Sequence, residues 1–398
     1  MAISHHTASP SFSSKYASQA LVIDPPSLRE ITFKVQAVGG INLGQGVCQL
    51  PVPEILLAEA EKALRAGVNR YTSPRGLGSL REAIAKKLAK HNGLQANPDT
   101  EVLVTSGSTG GFEGVCATLI NPGDEVVSFS PFYPYHNNTL VRFGAKVRYV
   151  ELTPPTWSFS LEQLSQAFSE RTKFVVVNTP ANPSGKVFTR AEIESIGRLC
   201  ERYDALLVTD EIYEYMVYDG HPHISPATVN SLSQRTITIG GYSKTFAITG
   251  WRIGYVVLPA EIAHTMTAML DSIYICAPAP LQEAVAQAIL GLDDNFYQAL
   301  QQAYLKKRNF LSTTLAKVGL RPYLPDGAYY MMVDYSELFP KLRSEEFVDF
   351  MIKKVQVGAV PAKDFVLDSS NERWVRLCFA VPDDVLEKAA SQIAMLAQ

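Results

Sequence analysis

Seven short β-rich runs recur between residues 100 and 260 of this chain, and the stretches between them read as helix or loop. The runs are EVLVTSG (101–107), EVVSFS (125–130), KVRYVEL (146–152), KFVVVNTP (173–180), ALLVTDE (205–211), TITIGG (236–241) and IGYVVL (253–258). Several are nearly unbroken Val, Ile, Leu and Phe, the composition of strands covered on both faces. One intervening segment, TRAEIESIGRLCERYD (189–204), opens on a Thr cap and sets Ile193, Ile196 and Leu199 on one helical face. Strands alternating with such helices predict an α/β fold: a large domain with a mostly parallel seven-stranded sheet, covered by helices on both faces.

The pattern changes towards the C-terminus. DDNFYQALQQAYLKKRNFLSTTLAKVG (293–319) reads as one long amphipathic helix, GAYYMMVDY (327–335) and RWVRLCFAV (373–381) as strands, and PDDVLEKAASQIAMLAQ as a final helix. This spacing predicts a smaller α+β domain. The expected division is 46–290 for the large domain, with 15–45 and 291–398 together forming the small one. Residues 1–14, Ser-rich and free of acid, read as a disordered leader without the apolar middle of a signal peptide.

Composition excludes several functions. The 398 residues carry a formal net charge of -3, so no bulk electrostatic argument exists for nucleic acid or an anionic membrane. Hydrophobic residues at 46% supply a sizeable core, yet no apolar run approaches membrane-spanning length. Five widely spaced cysteines, with no C-x-x-C pair, argue against a disulfide framework or a zinc site, and no metal is expected. A reducing, cytoplasmic compartment fits.

In open α/β sheets ligands bind beyond the carboxyl ends of the strands. The first run ends in TSGSTGG, where Gly107, Ser108 and Thr109 lead into a helical stretch whose N–H groups can meet an anion. The fourth ends in NTPANPSG, a turn that holds Asn182 as a hydrogen-bond donor. The fifth ends in TDEIY. There Asp210 can pair with a cationic ring nitrogen, Glu211 should point to the opposite face, and Tyr213 can donate its hydroxyl. The sixth leads into YSKTFAITGWRIGY, where Lys244 and Arg252 are the only charges in an otherwise uncharged stretch. Apolar surroundings and a nearby cation lower a lysine pKa and make the amine a nucleophile. A phosphate turn, a donor to a phenolic oxygen, an acid for a ring nitrogen and an amine for an aldehyde together describe pyridoxal 5'-phosphate.

With these motifs in hand, the chain resembles the class I/II, fold-type I aminotransferases that use pyridoxal phosphate. INLGQG (41–46), NRYTSPRGLGSLREAIA (69–85), TSGSTGGF (105–112), PFYPY (131–135), NTPANPSGKVF (178–188), TDEIY (209–213), YSKTFAITGWRIGY (242–255) and VRLCFA (375–380) come in the family's order. The resemblance implies that Lys244 forms the Schiff base and shuttles the α-proton, while Asp210 holds the pyridinium nitrogen. It implies that Asn182 and Tyr213 bond the phenolic oxygen and that Tyr133 stacks on the ring. Gly107, Ser108, Thr109 and Arg252 would hold the phosphate, Ser243 would belong to the cofactor site without taking the place of the phosphate-binding Ser, and Tyr71 would reach the phosphate of a neighbouring subunit in a homodimer. Arg376 would grip the substrate α-carboxylate beside Asn182 and the backbone of Gly46. Two positions depart from the family: Gly46 is followed by VCQLPVP where relatives often have F-P-D-F, and Gly241 replaces a phosphate-binding Ser.

The expected activity is ping-pong transamination between an L-amino acid, neutral, aromatic or aspartate-like, and a 2-oxo acid. The alternatives are a C–S β-lyase on the same fold and a non-catalytic ligand-sensing protein.

Overall fold

The computed structural model describes residues 15–397 apart from Val22 and Asp24, so the expected leader at 1–14 lies outside the described residues. All seven runs form strands of one sheet: β2 (Val102–Ser106), β3 (Glu125–Ser130), β4 (Lys146–Glu151), β5 (Thr172–Asn178), β6 (Leu206–Asp210), β7 (Thr236–Gly241) and β8 (Ile253–Val257). They follow a two-residue β1 (Ile41–Asn42), which lies outside this sheet. The strand order is β2-β8-β7-β6-β5-β3-β4. Only β8 runs against its neighbours, pairing antiparallel with both β2 and β7. The other contacts are parallel, which is why helices or loops must return the chain between them.

Alternation along the strands covers both faces. Leu103, Phe174, Val176, Val208 and Ile239 pack with Phe112, Val115 and Met266 from the helices Gly107–Leu119 and Ala260–Tyr274. On the opposite face, Val127, Val175 and Leu207 meet Ile193 and Ile196 of the helix Arg190–Arg202. That helix starts at a complete capping box between Thr189 and Glu192. β4 is the exception to the buried-strand expectation: it is an edge strand with alternating exposure, which accounts for its Lys146 and Arg148.

The smaller unit centres on an antiparallel sheet ordered β12-β13-β10-β9, from β9 (Arg321–Tyr323), β10 (Tyr330–Asp334), β12 (Val360–Pro361) and β13 (Trp374–Cys378). β1 pairs in parallel with β11 (Val357–Gly358), joining the N-terminal segment to this unit. The helix Leu28–Ala37 buries Ile31 and Val35 in the same core as Val355 and Val357. The long helix Asp294–Lys317, capped by Asp293, contributes Tyr304, Leu311 and Leu315. Among the described residues no helix is long and apolar enough to cross a membrane.

Candidate active site

β5, β6 and β7 are adjacent and parallel, so their carboxyl ends open at one edge of the sheet. The turn after β5 is fixed by Asn182 N donating to Asn178 Oδ1 at 2.7 Å and by Ala181 N donating to Lys186 O at 2.9 Å. Asp210 is the last residue of β6. Its Oδ1 accepts from Ile212 N at 3.1 Å, and its Oδ2 lies 3.1 Å from His136 Nε2. His136 in turn stacks on Phe112 and meets Tyr133 edge-on. As expected from the alternation, Glu211 turns away, with its carboxylate held by His223 and Ser225.

Lys244 follows β7 by three residues, and its Nζ donates to Gly46 O at 2.9 Å. Burial pushes the amine down to about 8; the Cys378 and Cys48 thiols oppose this, and the charges of Arg252 and Arg376 add to it. Tyr213 is buried, and loss of solvent raises its pKa far above the ordinary phenol value, so its hydroxyl stays protonated and can donate. That hydroxyl lies 3.1 Å from the Tyr330 hydroxyl.

β13 brings Arg376 to the other side of the same opening, and the side chain is only 4% exposed. Nη1 donates to Asn182 Oδ1 and Nη2 to Gly44 O, each at 2.7 Å, while the guanidinium lies over the rings of Tyr330 and Phe365. Its Nε is buried with no partner among the described residues. Arg373, three residues earlier, faces away and donates to backbone carbonyls of Pro340, Ser370 and Glu372, as the strand alternation requires.

The glycine turn after β2 is itself the first turn of a helix, since the helix starts at Gly107, earlier than the sequence pattern implied. Gly107 has φ +71°, and a Cβ there would lie 2.4 Å from Arg252 Nη2. A Cβ on Gly254 would lie 2.5 Å from Gly107 C, so both glycines are needed for β8 and the helix start to approach. Arg252 is held by Thr249 O and Ser106 O. The result is a guanidinium beside unpaired N–H groups of a helix start, which is an anion-binding arrangement.

A cavity of about 250 Å³ collects most of these groups. Gly46, Thr109, Tyr133, Asn182, Tyr213, Lys244 and Arg376 all line it. Asp210, Gly107, Ser108, Ser243 and Arg252 do not line it. Asp210 reaches it through His136 and Tyr133, and Gly107 and Ser108 through the helix that carries Thr109. Tyr71 stands apart, 79% exposed beside Ala277 and Pro278. Two residues escaped the sequence reading. His136 lies one helical turn beyond Tyr133, and Tyr330 belongs to the strand hydrogen-bonded to the one carrying Arg376. Neither has an unusual sequence context. Among the described residues one group of metal-capable side chains occurs, Glu211, Glu214 and His223. Its carboxylates are already engaged by Lys87, Asn92, Ser225 and His223.

The residues present fit pyridoxal phosphate. The helix start with Arg252 suits a phosphate, Asp210 suits a protonated ring nitrogen, and the depressed amine of Lys244 suits an aldehyde. Converging at the carboxyl edge of a seven-stranded α/β sheet, they define the fold-type I class of pyridoxal-phosphate enzymes. The profile of the family Aminotransferase class I and II matches residues 38–393, and the chain belongs to that family. It is a pyridoxal-phosphate-dependent aminotransferase.

Kynurenine–oxoglutarate transaminase 3 of Rattus norvegicus is 35% identical over 378 residues, covering 88% of this chain and 83% of the relative. Aromatic-amino-acid aminotransferase 2 of Thermococcus litoralis is 31% identical over 382 residues, covering 94% and 95%. The solved structure of N-succinyldiaminopimelate aminotransferase from Mycobacterium tuberculosis superposes with a TM-score of 0.92 at 31% identity, covering 96% of this chain and 100% of that one. Relatives of this kind favour neither the lyase nor the ligand-sensing alternative.

Proposed function

We propose that this enzyme moves the amino group of a neutral or aromatic L-amino acid to a 2-oxo acid in two half-reactions at one cavity. The observation that carries the proposal is the pairing across that cavity of a half-buried amine lowered to about 8 with a buried guanidinium. Bound pyridoxal phosphate supplies an electron-withdrawing ring that stabilises negative charge at the substrate α-carbon. Arg376 holds the α-carboxylate as a planar fork, with Asn182 and the backbone of Gly46 beside it. The unpartnered Nε of Arg376 supports this role, because a buried donor left unsatisfied is costly. Lys244 Nζ would anchor the cofactor and, once freed by the substrate, would take the proton from the α-carbon as general base and deliver it as general acid to the cofactor carbon that carried the aldehyde.

On the same reading Asp210, oriented by Ile212 N and His136, keeps the ring nitrogen protonated. Asn182 and Tyr213 serve the phenolic oxygen, and Tyr133 stacks on the ring. Gly107, Ser108, Thr109 and Arg252 serve the phosphate, and Ser243 belongs to the cofactor site. Tyr71, exposed and outside the cavity, serves the phosphate of a second copy in a homodimer. The division into a large unit of 46–290 and a small unit of 15–45 with 291–398 belongs to this proposal, as does a cytoplasmic location.

Substrate class follows from the lining. Lys244 and Arg376 are the only cations among the described residues that line the cavity, and both have assigned tasks. A second carboxylate on the donor would find no free cation there, whereas Leu28, Val47, Val360 and Phe365 offer apolar contact. The test is a spectral titration of the loaded enzyme with single amino acids. Phenylalanine and methionine are expected to bleach the visible cofactor band at lower concentrations than aspartate. A band bleached by aspartate alone would sink the substrate assignment, and one bleached by no amino acid would sink transamination.

A further inference from the structure

One wall of the cavity contains Pro26 and Leu28, from the segment just before and at the start of the helix Leu28–Ala37. Those two residues, with Gln45 and Tyr135, also line a second cavity of about 590 Å³. The segment is therefore a thin partition, with open volume on both sides.

Leu28 packs against the buried cluster that includes Val360 and Phe365, and polar contacts fix the residue before it. Ser27, between the two lining residues, is the N-cap of the helix, but its own side chain makes no capping bond. Asp364 takes that place from 337 residues away. Its Oδ2 accepts from Ser27 N and its Oδ1 from Ser27 Oγ, both at 2.8 Å. The carboxylate satisfies a helix-start donor and lies at the positive end of the helix dipole. Asp364 is followed by Phe365, which lines the cavity and touches Arg376. One carboxylate thus ties the apolar partition to the segment that flanks the carboxylate-binding arginine.

We propose that the Ser27–Asp364 clasp is a specificity-determining device, resting on the aminotransferase reading above. By holding Pro26 and Leu28 against the opening, it gives bulky apolar donors a complete wall. A small side chain does not reach the partition, so alanine is indifferent to the clasp. When the clasp is removed, the partition yields into the larger cavity and contact with a large side chain is lost. Ser27 and Asp364 are positioning residues, since neither is assigned a contact with the reacting atoms.

The test compares kcat/KM for phenylalanine and for alanine in the loaded wild type, Ser27→Ala, Asp364→Asn and Ser27→Thr. Ser27→Ala loses the one bond made by its hydroxyl and keeps the backbone bond, and Asp364→Asn loses the charge and one of two acceptor oxygens, each corresponding to roughly a two- to tenfold fall in the phenylalanine-to-alanine ratio. The change should lie in KM, with Ser27→Thr restoring the ratio. An unchanged ratio, or an equal fall for both donors, would overturn the clasp and leave the aminotransferase reading standing. A wild type that turns over neither donor, nor any other neutral amino acid, would overturn the substrate class and the clasp with it.

Discussion

Asn182, Asp210 and Lys244 lie at or just beyond the ends of three neighbouring parallel strands in chain order, so one sheet edge sets their spacing. Opposite them, the substrate side is assembled from distant parts of the chain. Arg376 donates to Gly44 across 332 residues, and Asp364 reaches Ser27 across 337. The cofactor wall is therefore as rigid as the buried sheet that carries it. The substrate wall depends on how two chain ends pack together, and its hydrogen bonds act one at a time. Damage to the first should change what the cofactor does, and damage to the second should change which substrate is accepted.

The strongest challenge to that division is Lys244→Ala. Loss of the amine should remove covalent cofactor attachment and lower kcat by about 10²- to 10⁴-fold, the range for a general acid–base group. Steady-state turnover near that of the wild type, without added amines, would contradict the assignment.

Next comes an effect visible without cofactor. In the cofactor-free protein Lys244 titrates at about 8, against an ordinary value of 10.5 in the unfolded chain. Between these values the unfolded state holds more proton, so stability should rise with pH by on the order of 3 kcal/mol. Lys244→Met should abolish that rise and stabilise the cofactor-free protein at pH 7.5 more than at pH 10. Urea unfolding at the two pH values reads the difference. Parallel behaviour of variant and wild type would mean that the amine is not depressed.

On the substrate side, Arg376→Lys keeps the charge but loses the fork, and Gly44 O and Asn182 Oδ1 can no longer both be served. We expect kcat/KM for amino donors to fall about 10²-fold while the cofactor spectrum is unchanged. A shifted spectrum would show that the two walls are not separable. The smallest expected effect belongs to Gly107→Ala, which forces a side chain into positive φ beside Arg252. It should weaken cofactor binding roughly tenfold, read by fluorescence titration, with KM for the amino donor little changed.

The same contrast explains what could be read from the sequence. The seven strands were legible because buried parallel strands need continuous apolar runs, and the residues at their ends follow directly. Alternation separates Arg376 from Arg373, but it was mainly the family resemblance that singled Arg376 out. His136 was not, because its value lies in a contact with Asp210 that only the packing of the helix Pro134–Arg142 creates. Tyr330 depends on the register of β10 against β13, which no local pattern encodes. The start of the helix at Gly107 was missed because its first turn is glycine and hydroxyl residues, which normally mark a loop. Leu28 and Pro26 sit in a short segment with no recognisable motif, and their place beside the cavity follows from the reach of Asp364.

Gly46 O accepts from two donors, Lys244 Nζ at 2.9 Å and Tyr329 Oη at 3.0 Å. A lysine committed to the cofactor would leave Tyr329 as the other donor to that carbonyl. Two residues earlier, Gly44 O braces the arginine assigned to the incoming carboxylate. The short stretch from Gly44 to Gly46 is thus a shared brace, with the carbonyl that accepts from the amine two residues away from the one that accepts from the guanidinium.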